Sequence, residues 1–177
     1  MQTVAIRQLL GSDAAAWSAM RLESLVTDPF AFSGSVAEHM TLDVEMIEER
    51  FSHPADGGIN LGAFKDQELV GMLIFSRVPG QKQRHKGRIS ALYVSSSQRD
   101  KGVAGMLLRW LFDLVKRDPT LEQIVVSVSA SQQAACDLYR SFGFEIYGTE
   151  PRALKVGEVY IDSHDMFLQI ADLNAAI

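Results

Sequence analysis

Leu92-Tyr93-Val94-Ser95-Ser96-Ser97-Gln98-Arg99-Asp100-Lys101-Gly102-Val103-Ala104-Gly105 runs from an apolar strand, through a polar turn, into the start of a helix. From Gly102 to Arg117 the residues Val103, Met106, Leu107, Trp110, Leu111, Leu114 and Val115 recur at i, i+3, i+4 and i+7, the spacing of one buried helix face. A helix start leaves backbone N–H groups unpaired and carries the positive end of the helix dipole, so the turn suits an anion. Gly102 and Gly105 allow the backbone to approach a diphosphate, Ala104 is nearly as small, and Arg99 and Lys101 add positive charge. The same residues fit a plainer reading, in which Gly102 and Ala104 ease helix packing and the two cations are solvated. Neither G-x-x-x-x-G-K-[ST] nor the G-x-G-x-x-G spacing of dinucleotide folds is found here.

Upstream, the spacing predicts strands over Ile59 to Lys65, Leu69 to Arg77 and Arg88 to Val94, with Asp66-Gln67 as a tight hairpin turn and Val78 to Gly87 as a longer polar connection. A short strand near Thr3 to Arg7 comes first. A helix over about Asp13 to Val26 follows, with Trp17, Met20, Ser24 and Leu25 on one face and Asp28-Pro29 ending it. A second helix is expected over Leu42 to Phe51, with Thr41 as its cap and His53-Pro54 as its stop. Downstream, Pro119 closes the long helix and Gln123 to Val128 reads as a buried strand. Ala135, Leu138, Tyr139 and Phe142 then mark a helix ending at Gly143, and two extended stretches lie near Phe144 to Thr149 and Val159 to Gln169. Hairpins mixed with one strand–helix–strand crossover imply an α/β (α+β) fold with a mainly antiparallel sheet and a local parallel join.

At 177 residues the chain is the size of one domain, and no linker or internal repeat divides it. Its net charge of -5 argues against nucleic acid, whose non-specific binding depends on Lys and Arg displacing counterions. Cys136 is the single cysteine, too few for an intrachain disulfide or a thiolate zinc site, which fits a reducing cytoplasmic setting. Met1 to Leu10 lacks the pattern of a signal peptide, and no run of apolar residues is long enough to span a bilayer.

The turn and a second segment together resemble the GNAT superfamily of acetyl-CoA-dependent N-acetyltransferases. Arg99-Asp100-Lys101-Gly102-Val103-Ala104 is similar to that family's Q/R-x-x-G-x-G/A signature. Ala135-Cys136-Asp137-Leu138-Tyr139-Arg140-Ser141-Phe142-Gly143-Phe144 is similar to its A-x-x-L-Y-x-x-x-G-F segment. The resemblance covers Val4 to Ile170 and implies one N-acetyltransferase domain over residues 3–172. It also implies a six- to seven-stranded sheet with a splayed central strand pair and helices on both faces. Acetyl-CoA is then the co-substrate. Leu92, Tyr93 and Val94 run beside its pantetheine arm, and Arg99, Asp100, Lys101, Gly102, Val103, Ala104 and Gly105 surround its pyrophosphate. Tyr139 is the implied donor to the departing sulfur. The amine attacks the thioester directly, so Cys136 is not needed as a nucleophile and is expected to be a packed residue.

Two positions depart from the family pattern. Where many members have an Asn before the second motif this chain has Gln132, which is open to two readings: a cofactor contact, or part of a capping box Ser129-Ala130-Ser131-Gln132. Where histone-type members carry a Glu early in the fourth strand this chain has Arg88. A general base must then come from Glu23, Glu38, His39, Asp162, His164 or water, or the amine must arrive neutral. Lys82, Arg84, His85, Lys86 and Arg88 form a basic cluster that is either solvated or a receiver for an acidic substrate group or the cofactor 3'-phosphate. Phe30-Ala31-Phe32 either packs under its loop or lines the acceptor pocket. The expected partner is a small-molecule or peptide amine, with a second copy of the chain as a further candidate, and neither nucleic acid nor membrane. The alternative from another class is a catalytically silent acyl-CoA sensor of the same fold.

Overall fold

A computed structural model describes residues 3–174. Seven strands form one sheet in the order β1-β2-β3-β4-β5-β7-β6: β1 (Ala5–Gln8), β2 (Ile59–Lys65), β3 (Glu68–Arg77), β4 (Lys86–Val94), β5 (Gln123–Ser129), β6 (Glu145–Val156) and β7 (Val159–Gln169). Every neighbouring pair is antiparallel except β4 and β5, which run parallel. The helices are α1 (Ala14–Thr27), α2 (Val36–His39), α3 (Val44–Ser52), α4 (Val103–Val115) and α5 (Gln133–Ser141).

Successive strand residues point to opposite faces, and β3 shows both faces buried. Met72 packs with Trp17 and Met20 of α1 and Ile47 and Phe51 of α3. Its neighbour Leu73 packs with Leu107, Leu108 and Leu111 of α4. All three α4 leucines are fully buried, and each contributes roughly 1.5–3 kcal/mol of apolar burial. The helices therefore divide into two layers, α1 and α3 against one face and α4 and α5 against the other.

The expected helices and strands are found, with differences at their ends. Thr41 does not cap α3: its hydroxyl donates to the Glu38 carbonyl at 2.7 Å, and Asp43 occupies the N-cap position. The short α2 ahead of it is closed by a capping box in which Ser35 and Glu38 bond each other's backbone N–H. Strand β6 continues to Val156, well past Thr149. It passes Pro151 and Arg152 in a break of register between Glu150 and Leu154, where Arg152 has φ +54°. The Asp66-Gln67 turn has both residues at positive φ, the mirror-image geometry that matches the twist of a hairpin.

Candidate functional site

The parallel join of β4 and β5 is short. It pairs Lys86 with Gln123, Gly87 with Ile124 and Arg88 with Val125, and beyond that step the two strands separate. Just past the separation β4 carries a bulge: Ser90 lies opposite Ile74 and Tyr93 opposite Met72, so Ala91 and Leu92 together face Leu73 alone. Ala91 has φ +52°, a conformation that costs a non-glycine residue about 1 kcal/mol or more. An extra residue leaves a peptide group outside the ladder. Here the neighbouring strand has also moved away, so that group faces open space.

The opening holds a cavity of about 410 Å³. Its walls include Leu92, Tyr93, Val94, Arg99, Asp100, Gly102, Val103, Ala104, Gly105, Gln132 and Tyr139, residues drawn from β4, the turn, α4 and α5. Of the residues expected at a cofactor site only Lys101 is absent from the lining. Its ammonium donates to the Ser97 carbonyl at 2.6 Å and to Gln98 Oε1 at 3.3 Å, which ties up the turn from outside.

Gly102 is the N-cap of α4 with φ +76°, and a Cβ built on it would meet no heavy atom within 4 Å. The first helical hydrogen bond runs from Met106 N–H to Gly102 C=O at 3.0 Å, so the N–H groups of Val103, Ala104 and Gly105 lie ahead of the helical ladder. Arg99 does more than add charge. It donates to Asp28 at 2.6 Å and to the Val94 carbonyl at 3.1 Å, fastening the turn to the end of α1 and to β4. Asp28 neutralises much of its charge.

Helix α5 begins at Gln133 with Gln132 as N-cap, and Ser129 is the last residue of β5, its hydroxyl 2.9 Å from that of Ser131. The capping-box reading of Ser129 to Gln132 is thereby replaced, and Gln132 is left on the cavity wall. Tyr139 packs its ring edge-on against Phe144 with centroids 5.2 Å apart. Tyr139 lines the cavity, its hydroxyl makes no hydrogen bond with another described residue, and burial pushes its pKa well above the ordinary value of 10.0. Cys136 is buried, and burial raises its pKa too, as expected for a packed thiol.

A second cavity, about 770 Å³, lies under α1, α2 and α3 and meets the first at Ala31, Phe32, Ile89, Ser90, Ala91 and Ser127. The residues proposed from sequence as bases divide around it. Glu38 and His39 line it; Glu23, Asp162 and His164 line neither cavity. Glu23 accepts from the Tyr93 hydroxyl at 2.8 Å, Asp162 accepts from the Arg152 N–H at 2.8 Å, and His164 Nδ1 lies 2.9 Å from the Thr149 hydroxyl. His39 is buried with Nε2 2.9 Å from the Ser18 carbonyl. The basic cluster is dispersed: Arg84 pairs with Asp56, and only Arg88 reaches a cavity, the second one. Arg21, Arg50, Ser127 and Glu150 also reach the cavities, unmarked by any local sequence signal because the approach of distant elements puts them there.

The chain resembles known proteins in both sequence and fold. It is 28% identical over 134 residues to the L-amino acid N-acetyltransferase AaaT of Escherichia coli, a match covering 75% of this chain and 61% of that protein, so the chain spans about three-fifths of that relative's length. Among solved structures it superposes on a GNAT-family acetyltransferase from Streptococcus pneumoniae with a TM-score of 0.84 and 25% identity, over 94% of this chain and 99% of the other. It also superposes on a phosphinothricin acetyltransferase from Sinorhizobium meliloti, solved with acetyl-CoA, with a TM-score of 0.82 and 18% identity, over 98% and 91% of the two chains. The family model of the GNAT acetyltransferases matches residues 20–144, a stretch holding the bulged strand, the α4 turn and Tyr139; the chain belongs to the acetyltransferase (GNAT) family.

Proposed function

We propose that the chain transfers an acetyl group from acetyl-CoA directly to a primary amine of a small molecule or peptide. The observation that carries this reading is the meeting of two cavities at the splayed, bulged segment Ile89 to Ala91. One cavity ends at the N-terminus of a helix, suited to a diphosphate, and the other leaves room for an acceptor. The Sinorhizobium meliloti neighbour with acetyl-CoA bound, and the Escherichia coli relative's name, support the donor and the reaction class.

In this reading the N–H groups of Val103, Ala104 and Gly105 and the open space at Gly102 receive the pyrophosphate. Leu92 to Val94 run along the pantetheine arm, and Gln132 flanks it. The amine enters from the second cavity and its nitrogen bonds to the thioester carbon. The carbon–sulfur bond breaks, and the electron pair leaves on sulfur, towards which the Tyr139 hydroxyl donates. The amine's proton departs through the second cavity, whose lining includes Glu38, His39 and Glu150 as groups of the right chemistry to accept it. Residues 3–172 act as one catalytic domain in the cytoplasm.

Release of CoA thiol from acetyl-CoA across a panel of primary amines tests the proposal. Amine-dependent release, with the acetylated amine recovered in equal amount, is the expected result. Tight acetyl-CoA binding with no turnover on any amine would instead make the chain an acyl-CoA sensor of this fold.

A further inference from the structure

The acceptor cavity holds three arginines that outnumber its carboxylates and have no ion-pair partner among the described residues. Arg7, Arg77, Arg84, Arg99 and Arg140 each pair with an aspartate: Asp13, Asp118, Asp56, Asp28 and Asp137. Arg21, Arg50 and Arg88 line the second cavity, and none of them forms an ion pair among the described residues. Arg21 is half-buried, Arg50 and Arg88 are exposed, and each has a contact that orients it. Arg21 lies over the Phe32 ring at 4.6 Å and reaches Ser24 Oγ at 3.4 Å, Arg50 lies over Trp17 at 5.0 Å, and Arg88 donates to Ser127 Oγ at 3.3 Å.

Aromatic faces and hydroxyls orient a guanidinium without neutralising it. Arg21 is half-buried, and burial lowers its pKa from 12.5, the sign of a cation whose lost hydration is not made good by a counterion. The same cavity holds two carboxylates, Glu38 and Glu150, and neither lies within ion-pair distance of these arginines. Glu38 is occupied by the Ser35 N–H at 2.7 Å and the Ser35 hydroxyl at 2.9 Å. Glu150 lies on β6 opposite Ser163 of β7, which is itself opposite Ser129 of β5, so it belongs to the far wall. On a chain of net charge -5, a cavity with three oriented and unpaired arginines is a local reversal of sign.

We infer that the acceptor carries an oxyanion, a carboxylate or its phosphinate or phosphonate equivalent, received by Arg21, Arg50 and Arg88 while its amine faces Ala91 at the splay. This specificity rests on the acetyl-transfer reading above. The three arginines come from α1, α3 and β4, so an anion held by all of them would link the helical layer to the sheet. The planar fork of arginine suits a two-oxygen anion, which a neutral amide does not reproduce.

The test uses matched acceptor pairs, each an α-amino acid and its carboxamide across several side chains, with kcat/KM measured by thiol release. The amide has the less basic amine and so more of the neutral nucleophile at pH 7; preference for the acid must come from binding. The wild-type protein is expected to favour the acids by roughly 10- to 100-fold, the value of a charge-assisted contact. Arg21→Gln and Arg50→Gln should each erode that preference with the KM for acetyl-CoA unchanged. Amides used as well as acids by the wild type overturn the inference without touching the acetyl-transfer reading. If no amine is turned over, it is the acetyl-transfer reading that fails, and binding alone decides the anion site. Trp17 lines the cavity, so tryptophan fluorescence can follow titration with N-acetylmethionine and with N-acetylmethioninamide. A response to the acid alone supports the site, and equal responses overturn it.

Discussion

Tyr139 packs its ring in the core beside Phe144 and lines the first cavity, so the proposed reaction gives one residue both a packing and a chemical part. Burial raises its pKa above the ordinary 10.0, so the phenol keeps its proton at neutral pH and, in the proposed reaction, donates to charge developing on sulfur. Tyr139→Phe keeps the ring and removes that donor. Turnover should fall roughly 10- to 100-fold with acetyl-CoA affinity unchanged, read by steady-state kinetics and calorimetry together. Wild-type turnover in the variant would mean the hydroxyl is idle. Asp13 offers a residue-scale test of stability alone. It accepts from both Arg7 nitrogens, at 2.6 and 2.9 Å, and from the Leu10 N–H at 2.8 Å. These bonds, the Arg7 contact foremost, hold its pKa below the ordinary 3.8. A carboxylate with a depressed folded-state pKa adds stability that is complete above the unfolded value and disappears as pH falls through the folded one. Asp13→Asn should therefore cost about 1–2 kcal/mol near neutral pH, a gap that closes in acid below about pH 4, as followed by urea melts across pH. A gap that persists at low pH would assign the loss to packing instead.

At the scale of elements, how legible each piece is depends on how local its cause is. Helix α4 follows largely from its own stripe: Val103, Leu107, Leu111 and Val115 are buried, while Met106, Trp110 and Leu114 are only partly so and the buried face turns instead to include Leu108 and Phe112. The turn before it is equally readable, because Gly102 stands where a left-handed N-cap is needed. The β4–β5 splay arises from pairing between strands about 35 residues apart, and only the family resemblance anticipated it. Ala91 shows the limit most clearly. Alanine is an ordinary strand residue, and nothing in its neighbours announces a bulge at φ +52°. Pro151 hid the length of β6, since a proline inside a strand argues against one, and here it sits within a register break. Arg21 and Arg50 escaped notice because their place in the second cavity is a property of the assembled fold, whereas Arg88 already stood in the basic cluster offered as a receiver for an acidic group. The bulge carries its own prediction. Ala91→Gly should be tolerated in stability and turnover, whereas Ala91→Val, β-branched at a positive φ, should cost about 1–3 kcal/mol in denaturant unfolding and most of the activity. Equal behaviour of the two variants would mean that the bulge is incidental.

For the whole molecule, the cavity joins β4, β5, α4, α5 and the loop after α1, so a ligand that fills it braces one helical layer and that loop against the sheet. Any ligand that binds only the folded state raises its stability by mass action, by about 2.7 kcal/mol at a hundred times the dissociation constant. Acetyl-CoA should accordingly raise the melting temperature in a dose-dependent manner, and free CoA should do so as well, because the proposed contacts are with the pyrophosphate and pantetheine portions. The most direct measurement is a calorimetric titration of acetyl-CoA into the wild-type protein and into Gly102→Glu. That substitution puts a carboxylate into the open space at the α4 N-terminus, on a backbone already at φ +76°, and circular dichroism checks that the variant remains folded. One saturable site in the wild type, and none in the folded variant, is the predicted result; equal affinity in the two proteins would contradict the account.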